Sequence, residues 1–199
     1  MKEYEEQTIL NQNFYSRDTA LVAEELLGKL LIRRLGEKEV GGFIVETEAY
    51  YGEKDPASRA YNGKKNYNEV MYGASGHLFI YNVHQYWMLN FIAHKPGGIG
   101  GVLIRAIEPT IGLDVMKKNR PVSDIVNLTS GPGKLTLALD VDKSLNGIPG
   151  TEKDNLIVVK NNEMEFEVGR SHRIGVTRDL NRELRFYVKG NKFVSVRPR

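Results

Sequence analysis

The chain has 199 residues and no cysteine, which excludes disulfides, thiolate nucleophiles, cysteine-based zinc sites and iron–sulfur clusters. Hydrophobic residues make up 41% and charged residues 27%, a globular balance that argues against a disordered or fibrous chain. Net charge is +3, no run approaches the roughly 18 apolar residues of a membrane span, and the acidic start MKEYEEQTIL lacks a leader's basic and apolar pattern, so a soluble intracellular protein is expected.

In chain order, Ser16-Arg17-Asp18 offers N-caps for a helix through Ala23, Glu24 and Leu27, stopped by Gly28. Residues 30–34 read as a strand, 35–38 as a turn and 40–48 as a second strand, together a hairpin. Residues 51–67 form a long polar loop. Residues 76–83 are a strand, which residues 87–93 extend or follow. Residues 95–101, KPGGIGG, are a loop whose glycines lack a nucleotide-binding register. Residues 102–107 read as a buried strand and 111–119 as a helix. Ser130-Gly131-Pro132-Gly133-Lys134 opens a short helix over 135–139, and tail strands fall near 156–160, 165–168, 185–189 and 193–196. Strands and helices mix without βαβ regularity. The expected fold is α+β, one domain over 1–199, with a mostly antiparallel curved sheet flanked by helices.

Several segments can carry chemistry. In a strand, Glu46, Glu48 and Tyr50 share one face, which suits a general base at a strand end or an exposed polar end. Arg105 lies inside the apolar run VLIRAI, where a buried guanidinium needs an anionic partner: Glu46, Glu48 or a substrate. Tyr81, His84, Tyr86 and Trp87 either stack on bases or pack in the core. The four histidines show no metal-ligand spacing, and spacing alone leaves a two-carboxylate metal site open. Residues 130–134 are a phosphate mooring or a plain helix start with Ser130 as cap. Residues 170–199 hold nine basic and two acidic residues, which indicates an anionic partner or a solvated face.

Seven segments, in order along nearly the whole chain, resemble one family: LLGKLLIRR (26–34), IVETEAY (44–50), GHLFIY (76–81), VLIRAIEP (102–109), SGPGKLTLAL (130–139), RIGV (173–176) and LRFYVKGNKFVS (184–195). They resemble the alkyladenine (3-methyladenine) DNA glycosylases of the mammalian alkyladenine type. The resemblance implies a monofunctional enzyme that flips a damaged purine out of duplex DNA and hydrolyses its N-glycosidic bond, with no cofactor, no metal and no lyase activity. It implies that Glu48 activates the water, held by Arg105 and the Val176 carbonyl. Tyr50 and Tyr81 would sandwich the base, Asn90 would sit near the purine edge, and Gly133 and Lys134 would contact a phosphate. The chain departs from the family at Arg59, where many relatives have a His whose backbone N–H touches the base, and at the residue that fills the gap in the duplex. His84 is the candidate there, with Val83 and Gln85 as neighbours in a shifted register. The implied partner is duplex DNA containing damaged purines, bound by a monomer away from any membrane, in the cytoplasm or on the nucleoid of a bacterium. A non-catalytic nucleic-acid binder and a small-molecule hydrolase using Glu48 are the competing classes. The former needs no pairing of Glu48 with Arg105, and the latter leaves the basic stretch without a use.

Overall fold

The hairpin expected around Gly36 is formed by β1 (Leu30–Leu35) and β2 (Lys38–Tyr51) in the computed structural model, which describes residues 8–195. A second hairpin, β3 (Leu78–Val83) and β4 (Tyr86–Ile92), joins β2 through the long strand β5 (Gly100–Ile111). β6 (Ile157–Lys160) extends the sheet beyond β1, while β8 (Arg185–Val188) pairs with β2 beside β1 and β7 (Val168–Ser171) pairs with β8. Every pairing is antiparallel and the sheet curls, with helices beside it: the expected α+β class.

β2 is the organising strand. One edge pairs with β5, and the other is divided between β1, along residues 38–43, and β8, along 46–48. The change of partner coincides with register shifts at Gly41/Gly42 and around Val45. A Cβ on Gly41 would lie 2.1 Å from the Leu31 carbonyl oxygen, and one on Gly42 2.0 Å from that of Glu108, so glycine alone permits this approach. Pro109 lies opposite Gly42 at the shift, where a strand tolerates a residue without an N–H.

α1 (Gln12–Tyr15) and α2 (Thr19–Glu25) precede the sheet; α3 (Leu113–Asn119), α4 (Val126–Thr129) and α5 (Pro132–Ala138) follow β5. The Asp18 carboxylate caps α2 by accepting from the Ala20 and Leu21 N–H groups, and Gly28 reverses the chain at φ +74°. α2 packs on β2 and β5, and α5 on β4 and β5, around a core containing Leu26, Leu31, Ile44, Phe91, Ile104 and Leu135. Each such side chain contributes about 1.5–3 kcal/mol by burial.

Several boundaries differ from expectation, each for a long-range reason. β5 begins at Gly100, inside the predicted loop, because Gly100 and Gly101 pair with Tyr51 and Tyr50. It runs to Ile111, which pairs with Gly41, so the following helix starts at Leu113, after Gly112 at φ +67°. Within the polar loop, β2 continues to Tyr51 and a 3₁₀ segment begins at Asn66. The strand expected at 165–168 is instead Val168–Ser171, where Gly169 accommodates the Tyr187 ring; a Cβ there would stand 2.2 Å from it. Residues 193–195 form no strand, although Phe193 and Val194 are buried against Val45, Ala106 and Tyr187. Val196 of that expectation lies outside the described residues.

Candidate active site

The second half of β2 places Glu46, Glu48 and Tyr50 on one face, and Thr47 turns the other way to donate to the Ala23 carbonyl. Neither carboxylate is an exposed strand end; both are fully buried. Arg105, on β5, joins them. Its Nε donates to Glu46 Oε1 at 2.9 Å and its Nη1 to Glu48 Oε2 at 3.2 Å. Glu46 also accepts from Arg185 Nε at 2.8 Å, from the Ser195 N–H at 2.7 Å and from Ser195 Oγ at 2.9 Å. Glu48 accepts from the Tyr50 hydroxyl and from the Ile174 N–H, each at 2.7 Å. Both acids are therefore bound to guanidinium groups.

The two carboxylates are driven apart in acidity. Burial alone would raise Glu46, but Arg105, Arg185 and Ser195 outweigh it and hold Glu46 below the usual carboxylate range. At Glu48 burial prevails over Arg105, the Ile174 N–H and Tyr50, and the carboxyl is pushed up. Burial, then the adjacent Glu48, drives the Tyr50 phenol well upward, so Tyr50 stays a donor. One acid is an ionised anchor; the other is tuned toward proton acceptance.

A second network shapes the rim. The Arg173 side chain is fully buried and binds Asp55 at 2.7 Å through each terminal nitrogen, Asp179 at 2.5 Å and the Ala49 carbonyl at 2.9 Å. Its guanidinium lies 4.5 Å from the Tyr50 ring centroid. It thus ties the end of β2 to two loops and sits next to the Ile174 N–H that holds Glu48.

These walls enclose a cavity of about 540 Å³ bordered by Tyr50, Arg59, Tyr81, Arg105 and Val176, with His84, Gly133 and Arg178 also on its lining. A narrow recess adjoining Tyr50 and Tyr81 reaches Asn90. The Asn90 amide donates to the Phe79 and Met88 carbonyls at 2.9 and 3.2 Å, and Leu103 of β5 pairs with Glu48 on one side and with Asn90 on the other. His84 is exposed at the tip of the two-residue β3–β4 turn at φ +54°. Tyr86, beside it, packs on Gly133, where a Cβ would lie 2.7 Å from the ring. Trp87, by contrast, packs against the core. Lys134 does not border the cavity; its Nζ binds Asn127 Oδ1 at 2.5 Å and Ser130 Oγ at 3.4 Å. The cap of α5 is Gly131, not Ser130, with Pro132 in the first turn.

The sequence reading missed Asp55, Arg173, Asp179, Arg185 and Ser195 as parts of the site. Arg185 was detectable: it stands in Leu184-Arg185-Phe186-Tyr187-Val188, a charge inside an apolar strand like Arg105.

Comparison with known proteins matches residues 13–192 to the methylpurine-DNA glycosylase family. A protein of Mesorhizobium japonicum named "Putative 3-methyladenine DNA glycosylase" is 43% identical over 89% of this chain and 86% of its own length. Proteins of the same name from Methanoculleus marisnigri and Clostridium perfringens are each 40% identical, covering 92% and 94% of this chain and 97% and 98% of their own lengths. With a family match over most of its length and such relatives, the chain belongs to the methylpurine-DNA glycosylase family.

Proposed function

We propose that the protein is a monofunctional DNA N-glycosylase that flips a damaged purine of the 3-methyladenine class, or a deaminated one, out of duplex DNA and leaves an abasic site. The observation that carries this reading is the pair of buried carboxylates with opposed acidities joined by one arginine beside an aromatic cavity. Glu48 takes a proton from a water held by Arg105 and the Val176 carbonyl. The water oxygen bonds to C1′ of the sugar, and the C1′–N bond breaks with its electron pair leaving on the purine. A carboxylate near the oxocarbenium-like sugar supplies the negative charge that stabilises it, while Arg105 holds Glu46 and Glu48 in place. Tyr50 and Tyr81 are the aromatic walls of the base site, on which a flipped purine stacks. Asn90 lies toward the purine edge, Gly133 and Lys134 contact the backbone, and His84 fills the gap in the duplex. The enzyme acts as one monomeric domain, in the cytoplasm, or on the nucleoid if the organism is bacterial, and its motifs resemble those of the mammalian alkyladenine type.

Glu48→Gln tests the reading. On duplexes carrying a 3-methyladenine-type lesion, single-turnover base release should fall by about 10²–10⁴, with lesion-DNA affinity kept within threefold. A rate within threefold of wild type refutes the role of Glu48. A wild-type protein that binds such duplexes and releases no base favours the non-catalytic binder.

A further inference from the structure

We propose that Arg59 is a specificity-determining residue of the base site: its guanidinium is a resident positive charge on Tyr81 that favours neutral purine lesions over cationic ones. This inference rests on the glycosylase reading above.

Three observations carry it. First, the Arg59 Cζ lies 4.6 Å from the Tyr81 ring centroid, a cation–π contact already made in the protein alone. Arg59 and Tyr81 border both the main cavity and the recess toward Asn90, so this charge stands where a purine would stack. Second, the charge is uncompensated. Arg105, Arg173 and Arg185 each bind a buried carboxylate, whereas no carboxylate among the described residues pairs with Arg59. Third, the side chain hangs from a pinned backbone. The Arg59 carbonyl accepts from Asn68 Nδ2 at 2.7 Å and from the Tyr67 hydroxyl at 3.2 Å. The flanking Ser58 and Ala60 are buried, and Asp55, clamped by Arg173, holds the start of the turn through the Ala57 N–H. The exposed side chain thus reaches the Tyr81 ring from an anchored backbone.

The consequence follows from charge. An aromatic face attracts a cation through its quadrupole, and here one cation already uses it. A purine with formal positive charge competes for the same ring and meets a like charge within stacking distance. A neutral purine meets no such repulsion. A carbonyl on its edge, as deamination creates, gains a planar multi-donor partner in the guanidinium.

The test compares duplexes carrying 7-methylguanine, a cationic lesion, with duplexes carrying hypoxanthine, a neutral one. Single-turnover release is measured for wild type, Arg59→Gln and Arg59→Lys. Arg59→Gln should raise the 7-methylguanine to hypoxanthine rate ratio about tenfold, and Arg59→Lys, which keeps the charge, should move it less. The same ratio, read as affinities in a Glu48→Gln background, should shift in the same direction, which separates base selection from chemistry. A rise of threefold or more in either readout supports the proposal. A smaller change in both, or a fall, overturns it while leaving the glycosylase reading intact. If wild type releases neither base and discriminates neither duplex from undamaged DNA, the glycosylase reading fails and Arg59's role fails with it. Circular dichroism confirms folding of the variants, and Arg59→Met, which keeps the apolar stem, repeats the comparison if Arg59→Gln is misfolded.

Discussion

Glu46 and Glu48 stand two residues apart on one face of β2, yet their surroundings assign them different work. Glu46 collects two guanidinium groups and two donors from Ser195, so removing its charge leaves Arg105 and Arg185 short of a partner. Glu46→Gln should therefore destabilise the fold by about 3–5 kcal/mol, the cost of breaking a buried ion pair, read as a drop in Tm. The pH dependence follows from the direction of each shift. Because folding lowers the Glu46 pKa, its stabilisation is present above the ordinary carboxylate value of about 4.3 and is lost as pH falls through its lowered value. Glu46→Gln should flatten that acid limb of a Tm–pH curve. Glu48 has the opposite sign: its raised value favours the folded state when protonated, and that contribution is lost as pH rises through it. Base release should accordingly rise with pH through a value above the usual carboxylate range and then level off. That Arg105 needs an anionic partner was legible in the sequence, since a charge in an apolar strand must find one, but the choice among Glu46, Glu48 and a substrate was not. Arg185 carries the same signal, but counting it within a basic stretch hides it.

Among the elements, the β3–β4 hairpin holds His84 at its tip with a left-handed backbone. A histidine at φ +54° costs on the order of 1 kcal/mol, and the turn presents it outward at the cavity mouth. If His84 fills the duplex gap, His84→Ala should slow release tenfold or more on a well-paired lesion, less on a mismatched one and hardly at all on single strands. A fluorescent base analogue at the lesion reads the flipping step directly. Equal behaviour on all three substrates moves the role to Val83 or Gln85. The first hairpin and the α2 caps were legible because their signals are local: Asp18 before an apolar run, Gly28 after it, and a turn at Gly36; for the second hairpin the sequence reading left residues 87–93 extending or following the strand, without its turn at His84. The ends of β5 and the place of β7 were not legible. Gly100 and Ile111 are strand residues because Tyr51 and Gly41 lie opposite them, and no local pattern announces a partner some 50 to 70 positions away.

At the scale of the whole molecule, much of the basic stretch is paired within the protein, although among its described basic residues only Arg173 and Arg185 are buried. Arg173 binds Asp55 and Asp179, Arg185 binds Glu46, Arg170 binds Glu24, Lys189 binds Glu167, and Arg182 donates to the Tyr51 hydroxyl. Charge counted along a sequence therefore overstates the charge offered to a polyanion. Arg178 borders the cavity, and Lys134 lies one residue beyond Gly133, so these two are the positions at which phosphate contact is tested. Affinity for lesion-containing duplex should weaken with salt at a log–log slope of about −0.9 per phosphate engaged. Arg178→Ala and Lys134→Ala should each reduce that slope by roughly one, while Arg170→Ala, already paired with Glu24, should leave it unchanged.

The wiring of Glu46 also imposes a timetable on biosynthesis. Arg105, Arg185 and Ser195 follow Glu46 by 59, 139 and 149 residues. At translation speeds of about 5–20 residues per second, the ribosome delivers the last of them roughly 7–30 s after the carboxylate itself. Until they emerge, burying Glu46 would strand an uncompensated charge, so the second half of β2 has reason to remain solvated. A nascent chain thus carries Glu46 before most of its partners exist, and the network around that acid can close only once residues 185–195 have been made.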